Sequence, residues 1–204
     1  MNRAALGREA NRHIGCLTHL KTTEGRRRTR HRPGETLDLP DPFLADEAKL
    51  ASSKAFRLLG KKTQVATLPT NPFIRNRQTH VMEVVSCSVV LANALGLNTS
   101  LVRSIALGHD IGHVPFGHQG EDFMKHALGK PAFCHEVMGP IVAQRIERKG
   151  LGLNLTFETL DGMMRHSGAT AREGMTQEAW VVRHGDKFAY IFADYNDIVK
   201  RMGF

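Results

Sequence analysis

A chain of 204 residues, 41% hydrophobic and 24% charged, has the make-up of a soluble globular protein and a length that suits one domain, or one domain with an arm. No apolar run approaches the ~20 residues of a membrane span, and the N-terminus lacks the apolar stretch of a secretory signal. The net charge of +8 points to a polyanionic partner, while Cys16, Cys87 and Cys134 stand too far apart to indicate a disulfide framework or a zinc finger and suit a reducing, cytoplasmic setting.

Residues 1–45 are polar and basic, carry the run RRRTRHR (Arg26 to Arg32) and end in a Pro-rich stretch, so they read as an irregular arm. The run is either a solvated arm, the usual state of clustered like charges, or a contact for phosphate or nucleic acid. From Asp46 the pattern turns helical through Leu50, Lys54-Ala55 and Leu58-Leu59, and residues 46–204 form the expected domain. Gly60, Pro69, Asn71 and Pro72 mark residues 60–76 as a connection. A helix follows over about Gln78 to Leu95, with Val81, Val84-Val85 and Leu91-Ala92 on its apolar side and Gly96 as its stop. Asn98 or Thr99 caps the next helix, which runs through Leu101-Val102 and Ile105-Ala106 into His109-Asp110 until Gly112, Pro115 and Gly117 break it. A short helix is expected over 119–128. A longer one runs from His135 to Arg148, with Gly139-Pro140 marking a kink or a later start. Thr156 opens another short helix, and a last one starts near Thr176, with Trp180, Phe188 and Ile191 as core side chains. With no strand alternation and no internal repeat, the fold class is all-α.

The stretch HDIGHVPFGHQGED (His109 to Asp122) sets three histidines and three carboxylates in fourteen residues. If the helices joined by Gly96-Leu97-Asn98 pack antiparallel, His80 in the first turn of one comes close to His109-Asp110 at the end of the other. The last helix offers further ligands at Asp186, Tyr190 and Asp194, which recur every fourth residue on one face, and at Asp197. Taken singly, each has a plain structural explanation; their joint occurrence carries the reading. Imidazoles combined with carboxylates suit a divalent ion such as Mn²⁺, Fe²⁺, Zn²⁺ or Mg²⁺ in an open site that activates water and neutralises phosphate. His113, His118 and Glu121 add histidines and a carboxylate beyond those a metal needs, a supply suited to proton transfer near neutral pH. His19, His126, His166 and His184 read as structural or surface histidines, His166-Ser167 being close in sequence to the site elements.

The pattern resembles the HD-domain phosphohydrolases, with H…HD…D at His80, His109-Asp110 and Asp186, and more narrowly the deoxynucleoside triphosphate triphosphohydrolases, the dGTPase family. SKAFRLLGKKTQV (Ser53 to Val65), RNRQTH (Arg75 to His80), ALGHDIGHVPFGHQGE (Ala106 to Glu121), FCHE (Phe133 to Glu136) and DKFAYIFADYND (Asp186 to Asp197) are each similar to a segment of that family, over roughly residues 50–200. The resemblance implies an HD-domain helical bundle and hydrolysis of a dNTP, dGTP favoured, to the deoxynucleoside and inorganic triphosphate. It implies one divalent metal ion (Mn, Mg, Fe, Co or Zn) on His80, His109, Asp110 and Asp186. It gives His118 and Glu121 the proton handling, and His113 and His135 phosphate contacts or proton donation to the leaving 5′-oxygen. Arg77 and Lys187 would grip the phosphates, and Gln64, Tyr190 and Asp194 would read the deoxyribose. A homo-oligomer is implied as well.

Two other readings stay open. One is a different HD-type phosphohydrolase, a 5′-nucleotidase or phosphatase, told apart by its product. The other is a nucleotide- or nucleic-acid-binding module without turnover, using the basic arm.

Overall fold

The computed structural model describes residues 39, 41–64, 75–129, 133–167 and 174–195, without the side chains of 192–194. The basic run 26–32 and Asp197 lie outside the described residues, and so does the side chain of Asp194. The described helices are α1 (Pro42–Ala51), α2 (Lys54–Leu58), α3 (Arg77–Leu95), α4 (Thr99–Gly108), α5 (Gly117–Leu128), α6 (His135–Ile141), α7 (Phe157–Arg165) and α8 (Gln177–Tyr195). Among the described residues there is no strand; Thr63 and Asn76 form an isolated bridge. Among the described residues no helix is long and apolar enough to cross a membrane.

Helix α1 starts inside the stretch expected to be irregular. Asp41 caps it by accepting from the Phe43 N–H, Pro42 occupies the first turn, and Phe43 and Ala45 are fully buried. The Pro-rich composition that suggested a loop therefore supplies a helix start. The expected connection shrinks as well, since α2 runs into a 3-10 turn over Leu59–Lys61.

Helix α4 is the axis of the bundle. Leu101, Val102, Ile105 and Ala106 are fully buried, and α1, α3, α7 and α8 pack around it. Its start is fixed by Asn98, whose side-chain oxygen accepts from the Ser100 and Leu101 N–H groups at 3.0 and 3.3 Å. The chain reaches Asn98 through Gly96, which ends α3 at φ 68°, a conformation open to glycine at little cost. This tight turn folds α4 back along α3 and brings the first turn of α3 beside the last of α4.

The expected long helix from His135 is two pieces. Helix α6 holds Pro140 near its end and passes into a π turn over Val142–Ile146, consistent with the backbone donor that proline lacks. Thr156 caps α7 as expected. In α8 the sequence reading needs correction: Phe188 is 45% and Ile191 61% exposed, while Ala179, Val181, Val182 and Ala189 face the core. The buried face is made of small residues because α8 lies very close to α3; a Cβ on Gly185 would meet Ser88 Oγ at 2.0 Å.

Candidate metal centre

One cleft of about 280 Å³ is lined by residues of α3, α5, α6 and α8, of the loop after α4 and of the turn that ends α7, with Gln64. From α3 come Arg77 and His80, from the end of α4 come His109 and Asp110, and from α8 comes Asp186. His80 Nε2 lies 3.0 Å from Asp186 Oδ1, and His109 Nε2 lies 3.9 Å from the same oxygen and 3.5 Å from Asp110 Oδ1. The expected ligands thus converge, although they are separated by up to 106 residues in sequence.

The hydrogen bonds fix which nitrogen is offered. His109 Nδ1 is 2.7 Å from the Ala106 carbonyl, which only accepts, so the ring proton sits on Nδ1 and the Nε2 lone pair faces the cleft. That Nε2 is buried without a hydrogen-bond partner. An orphaned buried lone pair beside two carboxylates and a second imidazole is a fitting donor set for a divalent metal. His80, His109 and Asp110 offer ligand atoms that all lie within 4.8 Å of one another.

Asp110 is held from several sides. Burial opposes its ionisation, but His109, His113 and the Arg77 guanidinium, 2.8 Å from Oδ2, outweigh burial and hold the carboxyl well below the usual carboxylate range. Asp186 is likewise ionised more readily than usual: burial acts against it, and the contact with His80 prevails.

A second cluster adjoins the first. Glu121 on α5 lies 2.7 Å from His135 Nδ1 and 2.9 Å from His113 Nδ1; the latter is in ion-pair range without the alignment of a hydrogen bond. Burial raises the Glu121 pKa, but these two imidazoles override it and keep the carboxylate charged. Burial likewise works against protonation of His113, yet its contacts with Asp110 and Glu121 raise its affinity for a proton. His118 stands at the mouth, its side chain 79% exposed, with Nδ1 3.6 Å from Glu121 Oε2. Glu121 is therefore aligned on His135 and His113 more closely than on His118. Its neighbour Gly120 is required where α5 meets the loop, since a Cβ there would meet the Pro115 carbonyl at 1.9 Å.

Gln64 and Tyr190 line the same cleft, Tyr190 with its ring half exposed. Lys187 is exposed on α8 and is not among the lining residues. The sequence reading passed over Lys62, whose ammonium donates to the His113 carbonyl from the far side of the loop. His166, read as structural or surface but close in sequence to the site elements, is 2% exposed and lines the cleft with Ser167. Burial, with His109 and His135 nearby, pushes its pKa down to about 4. The signal available was its closeness in sequence to the site elements; it is the C-cap of α7.

The HD domain family matches residues 77–191, which span the site from Arg77 to Tyr190. The chain is 42% identical over 180 residues to a deoxyguanosinetriphosphate triphosphohydrolase-like protein of Caldanaerobacter subterraneus, covering 88% of this chain and 52% of the relative. It is 39% identical over 167 residues to one of Clostridium tetani, covering 80% and 48%, and 35% identical over 197 residues to one of Desulfatibacillum aliphaticivorans, covering 93% and 56%. The chain thus spans about half the length of the curated relatives it matches.

Proposed function

This chain belongs to the HD-domain family, and on that premise we propose that it hydrolyses deoxynucleoside triphosphates to the deoxynucleoside and inorganic triphosphate. The observation that carries the reading is the adjacency of a metal-competent cluster at His80, His109, Asp110 and Asp186 and a proton-handling cluster at His113, His118, Glu121 and His135, members of both lining one cleft. The names of the relatives support the substrate class, with dGTP favoured.

One divalent ion, when bound on the first cluster, supplies positive charge against the phosphoryl oxygens; the donor set is compatible with Mn, Mg, Fe, Co or Zn. The rest is done by the chain. Water attacks the α-phosphorus, the bond from phosphorus to the 5′-oxygen breaks, the water oxygen leaves in triphosphate, and its proton is passed to the 5′-oxygen. Glu121 holds imidazoles at the site of that transfer, and His118, at the mouth, delivers the proton. His113 and His135 contact the phosphates or donate in place of His118. Arg77 sits where negative charge develops, and Lys187 reaches the phosphates from the rim. Gln64, Tyr190 and Asp194 read the deoxyribose. The basic run 26–32 supports a contact with phosphate or nucleic acid, the exposed Val90, Phe188 and Ile191 support association of copies, and the separated cysteines support a cytoplasmic setting.

A smaller-substrate phosphohydrolase has one observation in its favour. A cleft of about 280 Å³ lies at the lower edge of the ~300–1,000 Å³ common for ligand sites. The test separates the two. Metal-free protein is incubated with each dNTP, and Mn²⁺, Mg²⁺, Fe²⁺ or Co²⁺ is added back, with Asp110→Ala alongside; products are resolved by anion exchange. Metal-dependent triphosphate that vanishes in the variant is the expected result. Orthophosphate or pyrophosphate moves the chain to the second reading, and absence of turnover with every metal overturns both.

A further inference from the structure

We propose that a second cavity, on the other side of the loop after α4, binds a small amphiphilic carboxylate: an acyl chain with one anionic head. The cavity measures about 540 Å³, within the ~300–1,000 Å³ common for ligand sites, and is bounded by α2, that loop, α6 and the π turn with the residues that follow it. It shares only His113 with the cleft. Both ring nitrogens of His113 are directed to Asp110 and Glu121 on the cleft side, so the loop itself separates the two spaces.

The charge around the cavity calls for an anion. Lys54, Lys62, Arg148 and Lys149 all line it. The one carboxylate among its lining residues, Glu147, is already engaged, since its Oε1 accepts from the Ala55 N–H over 2.6 Å. Lys62 is partly buried and donates one N–H to the His113 carbonyl, which leaves two donors for a carboxylate. Arg148 and Lys149 hold φ of 53° and 58°, a left-handed backbone that glycine adopts at little cost and other residues disfavour. The turn is pinned there by Gly150 N and Gly152 N, which donate to the Glu147 carbonyl at 3.2 and 2.9 Å. Two cationic side chains thus stand where the backbone favours glycine, a strain that fits a use for their charge.

The wall calls for an apolar body. Leu58, Phe133, Met138, Val142 and Ile146 supply it, and Leu58 and Ile146 are more than half exposed, large apolar side chains left facing solvent at its rim. Among the described lining residues no side chain carries a hydroxyl or an amide. A base or a sugar would find no such side chain to read its polar edge, whereas a methylene chain needs none. Met138, with its unbranched and adaptable side chain, suits a flexible occupant. An acyl carboxylate therefore fits the cavity better than a nucleotide does.

The test is a binding measurement in which turnover plays no part. The full chain is titrated by calorimetry with sodium decanoate below its micelle threshold, with decan-1-ol as the uncharged control. One decanoate per chain is expected, with decan-1-ol bound at least about 10-fold more weakly for want of the anionic head. Leu58→Glu, which sets a like charge in the apolar wall, and the double variant Arg148→Gly with Lys149→Gly, which removes two cations and suits the left-handed backbone, are each expected to weaken decanoate at least about 10-fold. Circular dichroism checks their fold. No binding of decanoate overturns the site, and decan-1-ol bound as tightly as decanoate reduces it to a greasy surface and overturns it equally. None of the three substituted residues lines the cleft, so undiminished binding in either folded variant would place decanoate elsewhere and overturn the proposal.

Discussion

Three buried histidines at the cleft owe their direction to the partner of their other nitrogen: Ala106 for His109, Met163 for His166, Glu121 for His135. These partners fix tautomers that side-chain identity alone leaves free, and at His109 the lone pair is put where a cation can meet it. Tyr190 acts at the same scale. It follows Asp186 by one helical turn on α8 and lines the cleft beside the ligands. A ring packed against C2′ of the sugar leaves no room for a ribose hydroxyl. Tyr190→Ala is expected to raise kcat/KM for ribonucleoside triphosphates relative to the deoxy substrates by about 10-fold, the worth of ~1.4 kcal/mol of lost steric discrimination; an unchanged ratio in competition assays removes Tyr190 from that role. The approach of His80 to His109-Asp110 was legible in the sequence because spacing puts them at facing ends of two helices joined by a tight turn, whereas the last helix offered Asp186, Tyr190, Asp194 and Asp197 alike and only the family resemblance singled out Asp186. The 3.3 Å approach of His166 to His135 was not legible, because it joins two separate helices and no local pattern records it.

At the scale of elements, the cleft depends on how closely α6 approaches the loop after α4. A Cβ on Gly112 would lie 2.1 Å from the His135 carbonyl and 2.4 Å from Gly139 N, so only glycine lets α6 carry His135 to Glu121. Gly112→Ala is expected to cost roughly 1–3 kcal/mol in urea unfolding and to lower turnover by shifting His135; full activity at reduced stability would show that α6 does not position the site. Farther away, Asp46 of α1 is fully buried and accepts from Thr156 N and Oγ1 at 2.8 and 2.6 Å, tying α1 to the cap of α7. Burial raises its pKa, and the bonds from Thr156 offset this only in part. Both states are protonated below the unfolded value of about 3.9. Above it the unfolded chain ionises first, so stability falls as pH rises through the window up to the folded pKa, by about 1.4 kcal/mol for each unit of elevation. Asp46→Asn is expected to remove that fall, seen as a gap between wild type and variant that changes with pH above about 4 and levels off; a gap constant with pH contradicts it. Caps were readable as short polar signals, as at Asn98 and Thr156, and helix faces less so. Phe188 and Ile191 looked like core because apolar residues usually are, yet α8 buries small residues against α3 and leaves the large ones outside.

Across the whole molecule, the candidate ligands of the first site come from α3, α4 and α8, three helices of the central bundle that pack on one another. A cation on His80, His109, Asp110 and Asp186 is therefore bound only when all three are in place, and its binding free energy becomes folding free energy. In its absence the site holds two carboxylates that ionise readily in a buried setting, partly balanced by Arg77. Free metal at a hundred times its dissociation constant adds about 2.7 kcal/mol. For a chain of 204 residues this amounts to a rise of about 5–10 °C in Tm. Thermal melts of EDTA-treated protein with and without Mn²⁺ are expected to show that rise, and Asp110→Ala is expected to show none. The size of the effect separates a cross-helix site from a surface one. An ion held by α8 alone would stabilise that helix locally and leave the cooperative transition of the bundle where it was, so a wild-type Tm indifferent to metal would break the link between the convergence of the three helices and metal binding.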